Sequence, residues 1–123
     1  MHEAAIAQGI LDTAVRALPV GLQPPSRGGR PCVRVVRVVA GVFSGCERES
    51  LAMYFAELSK GTPLDGASLE IVRQPARLVC RECGHDRPFH DDGDFATNCD
   101  RCGGPNRMEG GNELYVESME VEE

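Results

Sequence analysis

The sequence predicts an α+β protein: a small mixed α/β domain, two helices on a three-stranded sheet, with a four-cysteine, zinc-ribbon-like domain inserted before its last strand. Three observations carry this reading. Two C-x-x-C pairs, Cys80-Arg81-Glu82-Cys83 and Cys99-Asp100-Arg101-Cys102, stand fifteen residues apart. The chain ahead of them switches between helical and β-branched periodicity. A last alternating segment follows them, and its natural place is beside the earlier strands.

Ile6, Ile10, Leu11, Ala14, Val15 and Leu18 recur at helical spacing, so residues 4–18 are expected to form an amphipathic helix that Pro19 stops. Residues 19–31 have loop composition, with Pro19, Gly21, Pro24, Pro25, Gly28, Gly29 and Pro31. Val33 to Ala40 is rich in β-branched residues, and its valines fall on both faces, as in a central strand. Gly41 to Gly45 is a turn, and Ser44-Gly45-Cys46-Glu47 fits a capping box. Leu51, Tyr54, Phe55 and Leu58 then give a second helix its apolar face, and Gly61 is its stop. Ala67 to Gln74 reads as a second strand, and Pro75 breaks it. Residues 84–98 read as a polar loop, Gly103 to Asn112 as a linker, and Glu113 to Val121 as the last strand. The expected division is therefore residues 1–75 with 111–123 as one discontinuous domain, and 76–110 as the inserted one.

Two tight turns that face each other place four soft ligands at tetrahedral corners, which suits a structural Zn²⁺ held by Cys80, Cys83, Cys99 and Cys102. Gly84 follows the first pair and Gly103-Gly104 the second, where a turn aiming N–H groups at sulfur often needs φ > 0. Two disulfides in a secreted domain are the bland alternative. A thioredoxin-like motif would explain only half of these cysteines. Met-His-Glu-Ala-Ala at the start has no basic n-region, so no signal peptide is expected, and a reducing, cytoplasmic setting disfavours disulfides. Cys32 and Cys46 are expected to be small buried hydrophobes. His85 and His90 lie in the zinc loop and could replace a thiolate or titrate near it, although exposed loop histidines are the simpler reading.

At 123 residues with 41% hydrophobic content, 5% aromatics and no Trp, the core must rest on Val, Leu, Ile and Ala. No stretch is long enough for a transmembrane helix. A formal charge of −6, with six acids and no base from Glu109 onward, opposes nucleic-acid binding. Arg27, Arg30, Arg34 and Arg37 form a local basic run that reads as a solvated face. There is no Gly-rich phosphate loop, no H-E-x-x-H and no Ser/His/Asp set, so a non-enzymatic binding protein is expected.

Met1-His2-Glu3 is a second candidate metal site. The Met1 amine, the His2 backbone nitrogen and the His2 imidazole can chelate one ion in a plane, a set that suits Ni(II) or Cu(II). An exposed histidine with no ligand role is the alternative.

The opening MHE, the segment VRVVAGVFSG, the run LSKGTPLDGASLEI, PARLVCRECG and the final NELYVESMEVE together resemble the HypA/HybF family of nickel metallochaperones for [NiFe]-hydrogenase maturation. The resemblance covers nearly the whole chain in order. It implies a mixed α/β nickel domain with an inserted Cys₄ zinc domain. It also implies that His2 is the essential nickel ligand, that Glu3 contributes its backbone nitrogen, and that Cys80, Cys83, Cys99 and Cys102 hold zinc. The implied partners are the nickel GTPase HypB and a hydrogenase large-subunit precursor, with no nucleic acid and no membrane. In some members an acid after the S-G turn approaches the nickel, and Glu47 stands there. Many members have an acid where this chain has Val42. The reading from a different class is a zinc-ribbon adaptor or nucleic-acid module that uses Arg73, Arg77, Arg81 and Arg87.

Overall fold

The computed structural model describes residues 3–89 and 98–123. Helix α1 spans Glu3–Arg16, strand β1 Cys32–Gly41, helix α2 Arg48–Leu58, and strands β2 and β6 Ser68–Gln74 and Leu114–Glu122. Between β2 and β6 lie three short strands: β3 Arg77–Cys80, β4 Asp86–Pro88 and β5 Asn106–Glu109. The strands form two sheets, one ordered β2-β1-β6 and one ordered β4-β3-β5. The last strand therefore does return to the first sheet, and β1 is central in it, as its valines on both faces require.

Two compact units result. The first holds α1, α2, β6, β1 as far as Val39 and β2 as far as Val72. The second holds 73–113 together with 40–44, the end of β1 and the turn after it.

In the first unit α1 packs on α2 and on β6. Ala7, Ile10, Leu11 and Ala14 of α1, Leu51 and Phe55 of α2, and Val33, Val36, Val38 and Val39 of β1 are buried, with Leu64 and Ile71. Strands β1 and β2 are joined through α2. Their contacts step in the same direction, Arg37 to Glu70 and Val42 to Gln74, so they are parallel. Contacts of β1 with β6 run oppositely, Arg34 to Glu122 and Arg37 to Ser118, so these two strands are antiparallel.

The first helix ends at Arg16 rather than Leu18. The Leu18 N–H turns back to the Val15 carbonyl, and the following Pro19 disfavours α geometry at Leu18. The expected capping box is replaced by a different cap. Glu47 itself is the N-cap of α2, and its carboxylate accepts from the Glu49 N–H at 3.2 Å and the Ser50 N–H at 2.6 Å. Those N–H groups, that of Ser50 foremost, hold the Glu47 carboxyl below its usual range. The Ser44 hydroxyl instead donates to the Gly41 carbonyl at 2.7 Å and closes the turn. Tyr54 is 39% exposed, off the buried face of α2.

The second sheet was not expected: β3, β4 and β5 fall where the sequence reads as lead-in, loop and linker. They are three or four residues long and built on residues such as Asp86-Arg87-Pro88, so no alternation marks them. Backbone pairing forms them, Leu78 facing Arg87 on one side and Met108 on the other. Arg77 adds ion pairs to Asp86 of β4 and to Glu109 of β5, the latter at 2.9 Å. The end of β1 and the turn after it belong to this unit through three donors: Gly41 N–H to Glu113 O, Val42 N–H to Gln74 O and Phe43 N–H to Gly111 O. The Phe43 ring then meets Phe89, centroids 5.6 Å apart.

Three of the four arginines of the basic run are paired within the chain. Arg34 pairs with Glu122, Arg30 with the same carboxylate at 2.6 Å, and Arg37 with Glu70 at 2.7 Å and Glu120 at 3.5 Å. Arg34 holds the Glu122 carboxyl below its usual range, and Arg37 does the same to Glu70.

Two predictions follow from this packing. Phe55→Ala empties the centre of the first unit and should cost about 3–5 kcal/mol in urea unfolding. Carboxyls depressed in the folded state bind fewer protons than in the unfolded chain, so their stabilisation is full above the ordinary carboxylate range and lost as pH falls through their folded values. Urea midpoints should therefore drop below about pH 4, and less steeply for Glu122→Gln than for the wild type.

Candidate metal centre

The two C-x-x-C pairs sit on two knuckles of the second unit with the same backbone pattern. In the first, the Cys80 N–H donates to the His85 carbonyl at 2.9 Å and the Gly84 N–H to the Cys80 carbonyl at 3.2 Å. In the second, the Cys99 N–H donates to Gly104 O at 2.7 Å and the Gly103 N–H to Cys99 O at 3.0 Å. Gly84 and Gly103 both have φ of +77°, which explains a glycine directly after each pair. Strand β3 delivers Cys80 at its end, and Asn98 bridges to Pro105 to close the second knuckle.

The knuckles bring Cys80, Cys83, Cys99 and Cys102 together, with all four Sγ atoms within 4.8 Å of one another. Cys80 and Cys102 sulfurs are 3.4 Å apart, and those of Cys83 and Cys99 3.6 Å. A tetrahedral ion with Zn–S bonds of ≈ 2.3 Å needs sulfur separations of about 3.8 Å, so the cluster fits zinc. Cys80 and Cys99 are buried and Cys83 and Cys102 exposed.

Backbone dipoles already favour anionic sulfur here. The Glu82 and Cys83 N–H groups point at Cys80 Sγ, each at 3.4 Å, the Arg101 N–H at Cys99 Sγ at 3.3 Å, and the Gly104 N–H at Cys102 Sγ at 3.4 Å. The Cys83 N–H draws the Cys80 thiol down to about 6. The Cys102 and Arg101 N–H groups lower Cys99. Four thiolates this close repel, so the other two move up. Cys102 is pushed to about 12 against the pull of the Gly104 N–H, by the Cys80 and Cys83 sulfurs and by burial. Cys83 rises despite the His85 N–H, through burial and the Cys99 and Cys80 sulfurs. A divalent cation at the centre reverses that repulsion, which is what this donor set is built to accept.

His85 is half-buried, and its Nε2 lies 3.3 Å from Asp100 Oδ1 across the knuckles. Asp100 was not picked out from the sequence. Its position inside the second C-x-x-C, opposite a histidine just past the first, is the available signal. His90 lies outside the described residues, as do Met1 and His2. Glu3 is the first residue of α1 and is half-buried. Cys32 and Cys46 are buried, 0% and 6% exposed, apart from the cluster. No described helix is long and apolar enough to cross a membrane.

A small α+β domain whose chain also brings four cysteine sulfurs to one point defines a metal-handling protein. The family model described as hydrogenase/urease nickel incorporation metallochaperone HypA matches residues 1–121, and the chain belongs to this family. Hydrogenase maturation factor HypA of Cereibacter sphaeroides is 36% identical over 123 residues, covering 99% of this chain and 100% of the relative. That of Dehalococcoides mccartyi is also 36% identical, over 125 residues, covering 100% of this chain and 96% of the relative. Among solved structures, the solution structure of the Ni metallochaperone HypA from Helicobacter pylori shares the fold, with a TM-score of 0.60 and 20% identity over 98% of this chain and 97% of that one.

Protons compete with metal for the four sulfurs, so metal affinity should fall as pH is lowered. Cobalt(II) added to reduced, metal-free protein should give tetrahedral d–d and sulfur-to-metal charge-transfer bands that fade on acidification and weaken in Cys83→Ser.

Proposed function

We propose that this chain is a nickel metallochaperone that carries Ni(II) at its amino terminus and delivers it for maturation of [NiFe]-hydrogenase. The observation that carries the reading is the family match over residues 1–121, which begins at Met1-His2-Glu3 and takes in the four converging thiolates. In this reading the nickel-binding domain is residues 1–75 with 111–123, and 76–110 is the zinc-binding domain.

The nickel is cargo. With Met1 as the free terminus, its amine, the backbone nitrogens of His2 and Glu3, and the His2 imidazole supply four nitrogens in one plane, the arrangement Ni(II) prefers. Binding displaces protons from the amine, the imidazole and two amides, so nickel affinity falls steeply as pH drops. The structural ion is Zn²⁺ at Cys80, Cys83, Cys99 and Cys102, where short strands and polar turns give little core of their own. Metal binding then supplies much of the folding free energy of that segment. Glu47 stays with its helix, since its carboxylate is committed to two N–H groups of α2.

Delivery is to a nickel-handling GTPase of the HypB type and to a hydrogenase large-subunit precursor, in the cytoplasm. The nucleic-acid reading loses ground. Arg77 is shared between Asp86 and Glu109.

Nickel titration of the untagged protein should give one Ni(II) per chain with the absorption of a square-planar complex. His2→Ala should abolish it and leave one zinc per chain. An amino-terminal extension without histidines should do nearly the same, because it turns the amine into an amide. Wild-type nickel affinity in the extended protein would overturn the geometry, and two disulfides with no zinc in protein from a reducing compartment would overturn the zinc site.

A further inference from the structure

We propose that the outer edge of β6, with the groove between it and α1, docks an extended basic segment of a partner protein, which adds to the sheet as a fourth strand. Strand β1 is central, so β6 is an edge, and among the described residues no strand pairs with its outer side. Nine residues is long for an edge left open, and a row of unpaired N–H and C=O groups is a template for another strand. The opposite edge differs. There the Arg48 guanidinium reaches the Ile71 carbonyl of β2, and the strand carries Arg73, a base of its own.

Beside β6 lies a mostly apolar groove of about 430 Å³, lined by Ile6, Gly9 and Ile10 of α1 and Leu114, Tyr115 and Val116 of β6. Leu114 and Tyr115 are 38% and 51% exposed. Gly9 sits inside α1, where glycine weakens a helix relative to alanine. A Cβ there would meet nothing within 4 Å, so no packing among the described residues asks for a glycine. What a bare backbone position offers instead is close approach by another chain. An added strand alternates its side chains, so every second one would face this groove and should be apolar.

Charge selects the occupant. Glu117, Glu120 and Glu122 lie on β6, which has no base; Arg34 and Arg37 pair with Glu122 and Glu120, and Glu117 acts on Arg37 through space without a direct ion pair among the described residues. Pairing β6 with a second copy of itself would set acids against acids, which destabilises cross-strand pairs, whereas Lys or Arg on an incoming strand stabilises them. The fitting segment alternates basic and apolar residues.

A short fluorescent peptide of alternating Lys and Val, titrated into the full chain by anisotropy, tests this. A peptide of the same composition with its Lys and Val in separate blocks is the control for plain charge attraction. The alternating peptide should bind saturably and tighter than the block peptide, and should slow hydrogen exchange in β6. Gly9→Leu should fill the groove and weaken binding at least ~tenfold, while its unfolding temperature stays at or above wild type because leucine is the better helix former. Glu117→Lys should also weaken it. Equal binding of the two peptides, wild-type affinity in Gly9→Leu, protection outside β6 or no saturable binding would overturn the site. The surface is built from α1 and β6, so His2→Ala should take up the peptide as the wild type does, whatever its effect on nickel.

Discussion

Strand β1 is the constraint on which both units depend. It is paired along both sides, and its valines Val33, Val36, Val38 and Val39 are buried. Helices α1 and α2 pack on each other, with Ile10, Leu11, Leu51 and Phe55 buried, and α1 packs on β6, the strand that β1 holds in the sheet. At its far end the same strand changes role. The N–H groups of Gly41, Val42 and Phe43 become part of the unit that carries the cysteines. Gly41 is fitted closely there: a Cβ on it would lie 2.2 Å from the Gly111 carbonyl oxygen, a contact no side chain allows. A β-branched run that ends in glycine is thus what one strand needs to serve two units.

The four-cysteine unit is held by different forces. Its buried apolar side chains are few, chiefly Ala76, Leu78 and Val79. Backbone pairing along β3, the shared Arg77 and Glu109, and repeated knuckle hydrogen bonds do the local ordering. Exposed ion pairs of this kind contribute little by themselves. The N–H groups aimed at sulfur have a further consequence. They lower the cost of gathering negative charge at one point, and the charge that remains is what a divalent cation neutralises.

Acidity organises the first unit as well as giving the chain its net charge. Glu70, Glu120 and Glu122 take up Arg30, Arg34 and Arg37, so most of a basic run that could have suggested an anion-binding face is engaged within the chain, two of its members tying β1 to its neighbours. On β6 that leaves Glu117, which acts on Arg37 through space.

What the sequence by itself determined is whatever rests on short-range chemistry. The spacing of Cys80, Cys83, Cys99 and Cys102, with glycines just after each pair, leaves few geometries other than two knuckles facing each other. Helical and β periodicities long enough to bury a face located α1, β1, β2 and β6 to within two residues at each end, and α2 with its start three residues later than the expected cap implies. Tertiary structure alone decided the rest. β3, β4 and β5 are too short and too polar to announce themselves, because long-range backbone pairing makes them strands. Glu47 caps α2 from outside the helix because the Gly41–Ser44 turn has claimed the Ser44 hydroxyl. The partners of Arg34 and Arg37 lie more than thirty residues away in the chain, at Glu70 and Glu122. Asp100 meets His85 only when the second knuckle closes on the first. Each of these depends on which distant segments become neighbours, and no local pattern carries that information.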